Sequence, residues 1–584
     1  MFQLAFFSPC CDFSMHHPLH FELDTNMAAR QHSITTIASD IVPGTVHLVD
    51  VEGHETHGRH LEGGNSRIVL VPQPSKDPED PLNWTRKRKF WSLFMVYVYT
   101  LGVGIPTTLH YSVIADITRD TGISTTDLVQ GNGVMFLFLG WACLFWQPIA
   151  MAYGRRGVYL VSCLLLVPTM VWTAYSRSAA EWYGHRVFIG IVCSPIESLP
   201  EISIPDLFFA HERGTWMSTY VMLLFGSNFL SPIMAGWMDD GIGWRWTMHA
   251  GAIIAAVAFI ILFFGMEETM YFRHTVEGIE VETPSEAAPE LITEGVEKPS
   301  PKSSPKSGAE SLAISEKGIS QSPCTPLRTK KQKLAWFVLW GGRPSVEQVL
   351  TMMWRPLLII IRFPNVAWAG FIYGINLSWY NVLNGTASPV LSAPPYNWRA
   401  ALVGTIYVGP LIGAGLGCLW SGIVADKLAL YLAQRNNGTR EPEHRLWPLA
   451  IAGFFSAVGL ITWGVGADHH VHWIGLIFGL MMMTFGVVVG GSIGLSYAVD
   501  CFKEITGESM ASIIIIRNTI GFGFSYAITP WYTNMGLTNC FITAGFVALA
   551  CMATFLIMIK YGKAMRRGSA RLYWEFAETT VGAH

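Results

Sequence analysis

One apolar stretch of the chain carries charged residues in a pattern that favours chemistry inside a membrane. Arg186, Gly190, Glu197 and Glu201 fall within about 60° of one another on a helix with 3.6 residues per turn. Charged side chains in a membrane helix face a cavity or a partner, because contact with lipid costs several kcal/mol. Glu197 is therefore a candidate for binding a proton or another cation. A structural carboxylate locked to a neighbouring helix explains Glu197 equally well, and Glu201, between two prolines, fits a structural role better.

The composition of the chain indicates which elements position these residues. The 584 residues are 51% hydrophobic and only 14% charged, whereas a soluble protein carries about 25% charged residues. The charges are concentrated in the tails and in one central segment, which leaves long uncharged runs between them. The formal net charge of −3 and the lack of a basic stripe argue against nucleic-acid binding. We therefore predict an all-α polytopic membrane protein.

Twelve apolar runs approach the length of about 20 residues that crosses a bilayer. They lie near 90–113, 131–152, 157–177, 183–204, 215–236, 246–264, 363–385, 401–425, 447–466, 473–497, 510–531 and 538–560. The remaining segments are a largely disordered cytosolic tail at 1–89, a partly disordered cytosolic central loop at 265–362 and a cytosolic tail at 561–584. They flank an amino-terminal six-helix half at 90–264 and a carboxy-terminal six-helix half at 363–560. Within the central loop, Val346 to Ile361 predicts a surface helix that leads into span 7.

A basic turn separates the second and third predicted spans. Its residues are Tyr153-Gly154-Arg155-Arg156-Gly157, and the arginines place it at the cytosolic surface. The turn resembles the loop between helices 2 and 3 of the major facilitator superfamily, whose signature is Gly-x-x-x-Asp-Arg/Lys-x-Gly-Arg/Lys-Arg/Lys. Gly154-Arg155-Arg156 match the end of this signature, and Gly422 with Asp426-Lys427 after span 8 supply the other part. Six spans, a long polar loop and six further spans are also the arrangement of this superfamily.

This resemblance implies a fold of 12 transmembrane helices in two pseudo-symmetric halves and a transporter rather than an enzyme. Asp77 to Trp84, followed by a basic cluster, resembles the entry to the first span in fungal drug:proton antiporters. Arg186-x-x-x-Gly190 resembles a span-4 motif associated with proton coupling. In span 5, Gly226, Pro232 and Gly236 resemble the end of the Gly-Pro-x-x-Gly-Gly antiporter motif, which favours export over uptake.

The resemblance also predicts a cytosolic gate built from charged residues at the ends of the spans. We expect Asp206 to pair with Arg155 or Arg156. We expect Asp500 to pair with Lys427 or Arg435, close to Asp426. Breaking such a pair would shift the balance between the inward-open and outward-open states.

Span 7 is too polar for a helix that faces only lipid, which predicts a substrate cavity. The predicted lining residues are Trp146, Tyr220, Tyr373, Asn376, Trp379, Tyr380, Asn381 and Asn518, with Arg517 as a further charged residue of the lumen. An interfacial aromatic belt explains some of these residues equally well. The sequon Asn384-Gly385-Thr386 is a candidate glycosylation site that we place outside the membrane.

These features favour a proton-coupled secondary transporter that exports a small organic molecule such as a drug, a polyamine or a secondary metabolite. A proton symporter for nutrient uptake is the alternative, and a non-transporting membrane sensor is the alternative from another class. No ATP-binding loop or metal-binding motif occurs in the sequence, so we expect a proton gradient as the energy source and no cofactor. We expect a monomer in the plasma membrane, with the vacuolar or vesicular membrane as alternatives.

Overall fold

The computed structural model describes residues 42–47, 77–271, 275–276, 279–280, 334–337, 345–436 and 439–581. Within these ranges, 11 helices are long and apolar enough to cross a membrane. A bent pair, Val346–Arg362 and Pro364–Ser392, meets at 92° and brings the number of candidate spans to 12. The all-α polytopic fold is therefore confirmed. Most of the predicted amino-terminal tail and most of the predicted central loop lie outside the described residues, whereas the predicted carboxy-terminal tail is described to residue 581 and continues the last helix, Phe555–Val581.

The amino-terminal half contains the first six spans, numbered as in the sequence. They are span 1 (Arg86–Thr108), span 2 (Thr125–Trp141 and Cys143–Tyr153), span 3 (Arg155–Ala174), span 4 (Ala179–Cys193 and Pro195–Leu207), span 5 (Ala210–Ile242) and span 6 (Trp244–Gly265). Short helices at Pro81–Asn83, Leu109–Tyr111 and Ile114–Thr121 flank span 1. The breaks in spans 2 and 4 are neighbours, because Cys143 Sγ lies 3.0 Å from Ser194 Oγ.

The carboxy-terminal half begins with the amphipathic helix Val346–Arg362, where Ser345 and Gln348 form a capping box. It continues with span 7 (Pro364–Ser392), span 8 (Ala400–Thr405, Val408–Leu419, a π-helical turn Trp420–Val424, and Ala425–Arg435) and a short 3₁₀ helix (Pro442–Leu446). The last spans are span 9 (Leu449–Asp468), span 10 (Trp473–Cys501), span 11 (Thr506–Met535) and span 12 (Leu537–Ala553 and Phe555–Val581).

The two halves pack closely on the side of the membrane opposite the basic loops, which we call the outer side. Small residues make this approach possible, since Gly133 of span 2 lies against Ser525 of span 11. Trp141 then donates a hydrogen bond of 3.2 Å to Thr519 Oγ1 across the same seam. Spans 2 and 11 are therefore in contact from Gly133 and Ser525 on the outer side to Trp141 and Thr519 near the centre.

A short segment of the amino-terminal tail, residues 42–47, docks on the cytosolic face of the carboxy-terminal half. Its strand Val46–His47 pairs antiparallel with the strand Thr439–Arg440, and the Arg566 guanidinium donates hydrogen bonds to the Pro43 carbonyl and to Thr45 Oγ1. A second two-residue ladder pairs Thr275–Val276 with Ile279–Glu280. Nothing in the sequence pattern predicted the docked segment.

Candidate transport site

An ion pair between Glu197 of span 4 and Arg517 of span 11 joins the two halves at the centre of the protein. The neighbouring Asn518 donates a hydrogen bond of 2.9 Å from Nδ2 to Glu197 Oε2. The side chains of Glu197 and Arg517 are only 11% and 4% exposed. Glu197 is thus held by two residues of the opposite half, a partnership that the sequence did not predict.

Local structure explains why both charges are stable at this position. The break at Ser194 starts a new helix at Pro195, so that Glu197 lies in its first turn, where free backbone N–H groups favour an anion. On the other side of the pair, the Arg517 guanidinium lies 4.6 Å from the ring centroid of Tyr373, a distance typical of a cation–π contact. Gly140 lets span 2 approach this cluster, since a β-carbon there would lie 2.7 Å from Asn518 Cβ.

A cavity of about 60 Å³ lies beside the ion pair. Glu197, Arg517 and Asn228 contribute its charged and amide groups, and its aromatic walls come from Phe136, Phe225, Tyr373 and Tyr380. This volume holds a few water molecules, whereas sites for drug-sized ligands measure roughly 300–1,000 Å³. The structure therefore shows the centre in a contracted form, with a lining suited to an amphipathic organic molecule.

Glu201 lies one helical turn closer to the cytosol than Glu197 and has different surroundings. Its Oε2 atom is buried and has no hydrogen-bond partner among the described residues. Tyr220 is close enough to Glu201 to interact with it electrostatically. The Tyr220 hydroxyl does not donate to Glu201 but donates to the Ile196 carbonyl at 2.8 Å. Of the two carboxylates on this face of span 4, only Glu197 has a cationic partner in the described part of the chain.

Arg186 lies in the outer part of span 4 and is 2% exposed. Its guanidinium is 4.2 Å from the ring centroid of Trp182, and its described contacts include no carboxylate. Gly190 packs against the backbone of Met135, where a β-carbon would lie 2.5 Å from the carbonyl oxygen. The structure therefore separates Arg186 and Gly190, which pack against span 2, from the charged centre at Glu197.

At the cytosolic end of the amino-terminal half, Arg155 pairs with Asp206 as expected, with 3.2 Å between Nε and Oδ2. Arg156 does not join this pair. Its guanidinium donates instead to backbone carbonyls at the end of span 6 and in the central loop, namely those of Phe263, Met266, Leu334 and Ala335. Arg155 is thus the gate candidate, whereas Arg156 anchors the end of span 6.

The start of span 3 is held by a carboxylate that the sequence pattern did not reveal. Glu268 accepts hydrogen bonds of 3.0 and 3.1 Å from the backbone N–H groups of Arg155 and Arg156. Gly154 makes this contact possible, because its φ of 111° is unfavourable for other residues and a β-carbon would collide with Glu268 Oε2. The basic turn therefore receives its geometry from a glycine and a capping carboxylate.

The predicted partners of Asp500 were wrong. Asp500 pairs with Arg445 at 3.0 Å and with Arg440 at 3.5 Å, and Arg445 also pairs with Asp426. The connection between spans 8 and 9 folds back beneath span 10, which brings both arginines to Asp500. Lys427 is exposed, and Arg435 lies over the ring of Tyr431 at 4.6 Å from its centroid.

The predicted substrate-lining residues divide into two groups. Tyr373 and Tyr380 line the central cavity, and Asn518 binds Glu197 beside it. The other group forms contacts with neighbouring helices. Trp146 donates to the Ile191 carbonyl, Tyr220 to the Ile196 carbonyl and Asn376 to Met552 Sδ, while Trp379 packs on Phe524 and Asn381 lies against Gly521.

The structure corrects two predictions, one for Asn376 and one for the sequon Asn384-Gly385-Thr386. Asn376 faces Gly490 of span 10 and Met552 of span 12, so it does not line the cavity. Asn384 is 2% exposed and accepts a hydrogen bond of 3.0 Å from the Tyr407 hydroxyl. It lies inside span 7, which continues to Ser392, and is therefore not available to a glycan.

Several lining residues of the cavity were not predicted from the sequence. Asn228 of span 5 had a usable signal, since an amide inside an apolar span requires a polar neighbour. The backbone carbonyl of Asn228 also accepts a hydrogen bond of 3.3 Å from the Tyr380 hydroxyl across the two halves. Phe136 and Phe225 had no distinguishing signal, because phenylalanines are also common on lipid-facing surfaces.

The antiporter-like motif of span 5 lies at the outer seam between the halves. A β-carbon on Gly404 of span 8 would lie only 2.5 Å from the Pro232 carbonyl oxygen. Gly236 likewise packs directly against the backbone of Ala400 and Ala401. A β-carbon on Gly226 would meet no atom of the described residues within 4 Å. Two of the three motif residues therefore let spans 5 and 8 close the outer side.

Two six-helix halves around a central cavity are the architecture of a secondary membrane transporter. The sequence matches the profile of the Major Facilitator Superfamily over residues 93–530. The chain therefore belongs to the Major Facilitator Superfamily. This membership identifies an integral, multi-pass membrane transporter for small molecules rather than an enzyme.

Relatives and solved structures agree with this assignment. The MFS-type transporter C1271.10c of Schizosaccharomyces pombe is 28% identical and aligns over 92% of this chain and 94% of its own length. Protein HOL1 of Saccharomyces cerevisiae is 27% identical over 91% and 97% of the two chains. The solved xylose transporter XylE from E. coli, in a partially occluded inward open conformation, has a TM-score of 0.51 at 12% identity and covers 81% of this chain and 98% of its own. That likeness concerns the fold alone.

Proposed function

We propose that this protein is a proton-coupled transporter that exports a small organic molecule. The observation that carries the proposal is the Glu197–Arg517 ion pair between the two halves. Alternating access moves one half against the other around a central site, so this pair must break and re-form in each cycle. Breaking a buried ion pair by removing one partner costs about 3–5 kcal/mol, and a proton or a substrate bound at the centre offsets part of that cost.

The coupling candidates are the two carboxylates of span 4, Glu197 and Glu201. Both lie on the face of span 4 that is directed towards the centre, and neither faces lipid. A proton bound to either one removes a negative charge from the region between the halves. Proton binding therefore changes the free energy of the contact between the halves, which is the requirement for coupling.

The lining of the cavity supports an amphipathic substrate. Tyr373, Tyr380 and the two phenylalanines supply aromatic surface, while Asn228 supplies an amide. Drugs, polyamines and secondary metabolites are the substrate classes that we propose, and the cavity must widen to admit them. The carrier acts as a monomer without a cofactor in the plasma membrane.

Export is favoured by the antiporter-like motif at the outer seam. Pro232 and Gly236 hold spans 5 and 8 together on the outer side, which gives a tight seal against the outside in this state. Such a seal keeps the gradient intact while the substrate binds from the cytosol.

The test uses purified protein in sealed vesicles with an imposed pH gradient and a panel of drugs, polyamines and secondary metabolites. We expect at least one compound to move against the direction of proton flow and to stop when an ionophore removes the gradient. Movement in the same direction as protons would instead establish a symporter. Absence of flux for every compound, with the protein folded and correctly inserted, would favour the sensor.

A further inference from the structure

Glu197 and Glu201 lie one turn apart on span 4, yet the structure gives them different partners. Glu197 is bound by Arg517 and by Asn518 of span 11. Glu201 has a buried Oε2 atom with no hydrogen-bond partner among the described residues, and no described ion pair involves it. The two carboxylates are therefore not equivalent, although the sequence places them on the same face.

A carboxylate that is bound by an arginine and an amide is stable as an anion. A buried carboxylate without a partner is far less stable in that form, because desolvation of the charge has no compensation. Proline residues on either side, Pro200 and Pro205, leave Glu201 in a helix whose internal hydrogen bonding is already reduced. A purely structural role for Glu201 would need a partner, and the described residues do not supply one.

The titratable groups that interact electrostatically with Glu201 are Cys143 of span 2, Tyr220 of span 5 and Tyr373 of span 7. Spans 1, 3 and 11 also pack against this part of span 4, and their titratable groups Tyr99, Tyr159 and Arg517 interact with Tyr220 or Cys143. Of the cations on these elements, Arg517 is paired with Glu197, Arg155 is paired with Asp206, and Lys89 lies over the ring of Phe209. None of these described contacts places a positive charge on Glu201.

We propose that Glu201 loads and releases the coupled proton, whereas Glu197 holds the two halves together through Arg517. This inference rests on the proposed proton-coupled transport. It assigns proton binding to Glu201 and the contact between the two halves to Glu197. The proton binds a carboxylate oxygen of Glu201 from water on one side of the membrane and returns to water on the other side. Although its Oε2 atom is buried, part of the Glu201 residue remains exposed. Glu201 lies on the cytosolic side of the Glu197–Arg517 pair, so proton exchange with the cytosol does not require that pair to break.

The first test compares Glu201→Gln with Glu197→Gln in vesicles that carry a transported compound. Glu201→Gln keeps the shape of the side chain and removes proton binding, so gradient-driven accumulation should be lost while exchange of substrate at equal pH continues near the wild-type rate. Glu197→Gln should lower both activities, because Arg517 loses its partner. Glu201→Asp should restore part of the accumulation, and Glu181→Gln at the exposed outer end of span 4 serves as the matched control with wild-type behaviour.

The second test needs no substrate and therefore separates this inference from the proposed function. Infrared difference spectra of the purified protein during a pH titration report the carboxylic acid band of each protonated glutamate. We expect one titrating band to disappear in Glu201→Gln and to remain in Glu197→Gln. Loss of the band only in Glu197→Gln, an unchanged band in both variants, or failure of equal-pH exchange in Glu201→Gln would each overturn the proposal. If wild-type vesicles show no flux, the proposed function fails and the spectra still decide where the proton binds.

Discussion

Removing one charge of the central ion pair should destabilise the protein more than removing both charges together. Glu197→Gln leaves the Arg517 guanidinium, only 4% exposed, without its carboxylate. Arg517→Gln leaves the Glu197 carboxylate with Asn518 as its hydrogen-bond partner among the described residues. Because both groups are largely excluded from solvent, each single variant should lose about 3–5 kcal/mol of stability.

The double variant Glu197→Gln with Arg517→Gln contains two neutral amides in place of the ions. Removing both charges leaves no uncompensated charge in the buried site, and that uncompensated charge is what makes each single variant costly. We therefore expect the double variant to lose less than either single variant, with a coupling energy of about 3 kcal/mol or more between the two positions. The assay is denaturant-induced unfolding of the purified protein in micelles, with Glu181→Gln as the control for the substitution itself.

Additive losses would refute this reasoning. If the double variant lost the sum of the two single effects, the two side chains would act independently. The bridge between the halves would then not be an energetic unit, although the atoms lie within ion-pair distance.

Three further predictions concern the gate, the outer seam and the docked segment. Arg155→Ala should lower transport by breaking the pair with Asp206, while the protein still inserts. Arg156→Ala should mainly lower thermal stability, because it releases the end of span 6. Vesicle flux and a melting curve for each variant separate the two effects. Gly236→Val should abolish flux, because its side chain collides with the backbone of Ala400. Gly226→Val should keep flux, because a β-carbon there meets no described atom within 4 Å. Deletion of residues 2–48 should lower the melting temperature relative to deletion of 2–41, because only the longer deletion removes the strand that pairs with Thr439–Arg440; equal melting temperatures would contradict the docking.

Much of the fold could be predicted from the sequence, because the length of an apolar run and the location of basic loops are local properties. The Arg155–Asp206 pair was also within reach, since the repeated loop motif and the helix end both lie at the cytosolic surface. The partners of Asp500 could not be predicted, because Arg440 and Arg445 reach Asp500 only through the folding of a loop. Span 7 was predicted to end at Gly385 because Asn384, Thr386 and Ser388 resemble loop residues, whereas the structure buries them among other helices.

The centre of the protein was predicted only in part. Glu197 and Arg517 were both identified as charges that cannot face lipid, but a single sequence does not show which helices meet. The pairing of spans 4 and 11 is a long-range contact that depends on how the two halves close. For the same reason the sequence could not show that Glu201 has no cationic partner in the described part of the chain. The sequence favoured Glu197 over Glu201 as the proton site, and our proposal reverses that order.

The most direct test of proton-coupled export is to measure proton movement that a substrate gradient drives. Vesicles without an imposed pH gradient are loaded with a transported compound, and an internal pH indicator records the change when the compound moves out. We predict proton movement into the vesicles, opposite to the substrate, that is lost in Glu201→Gln. Proton movement in the same direction as the substrate, or substrate efflux without any proton movement, would contradict proton-coupled export.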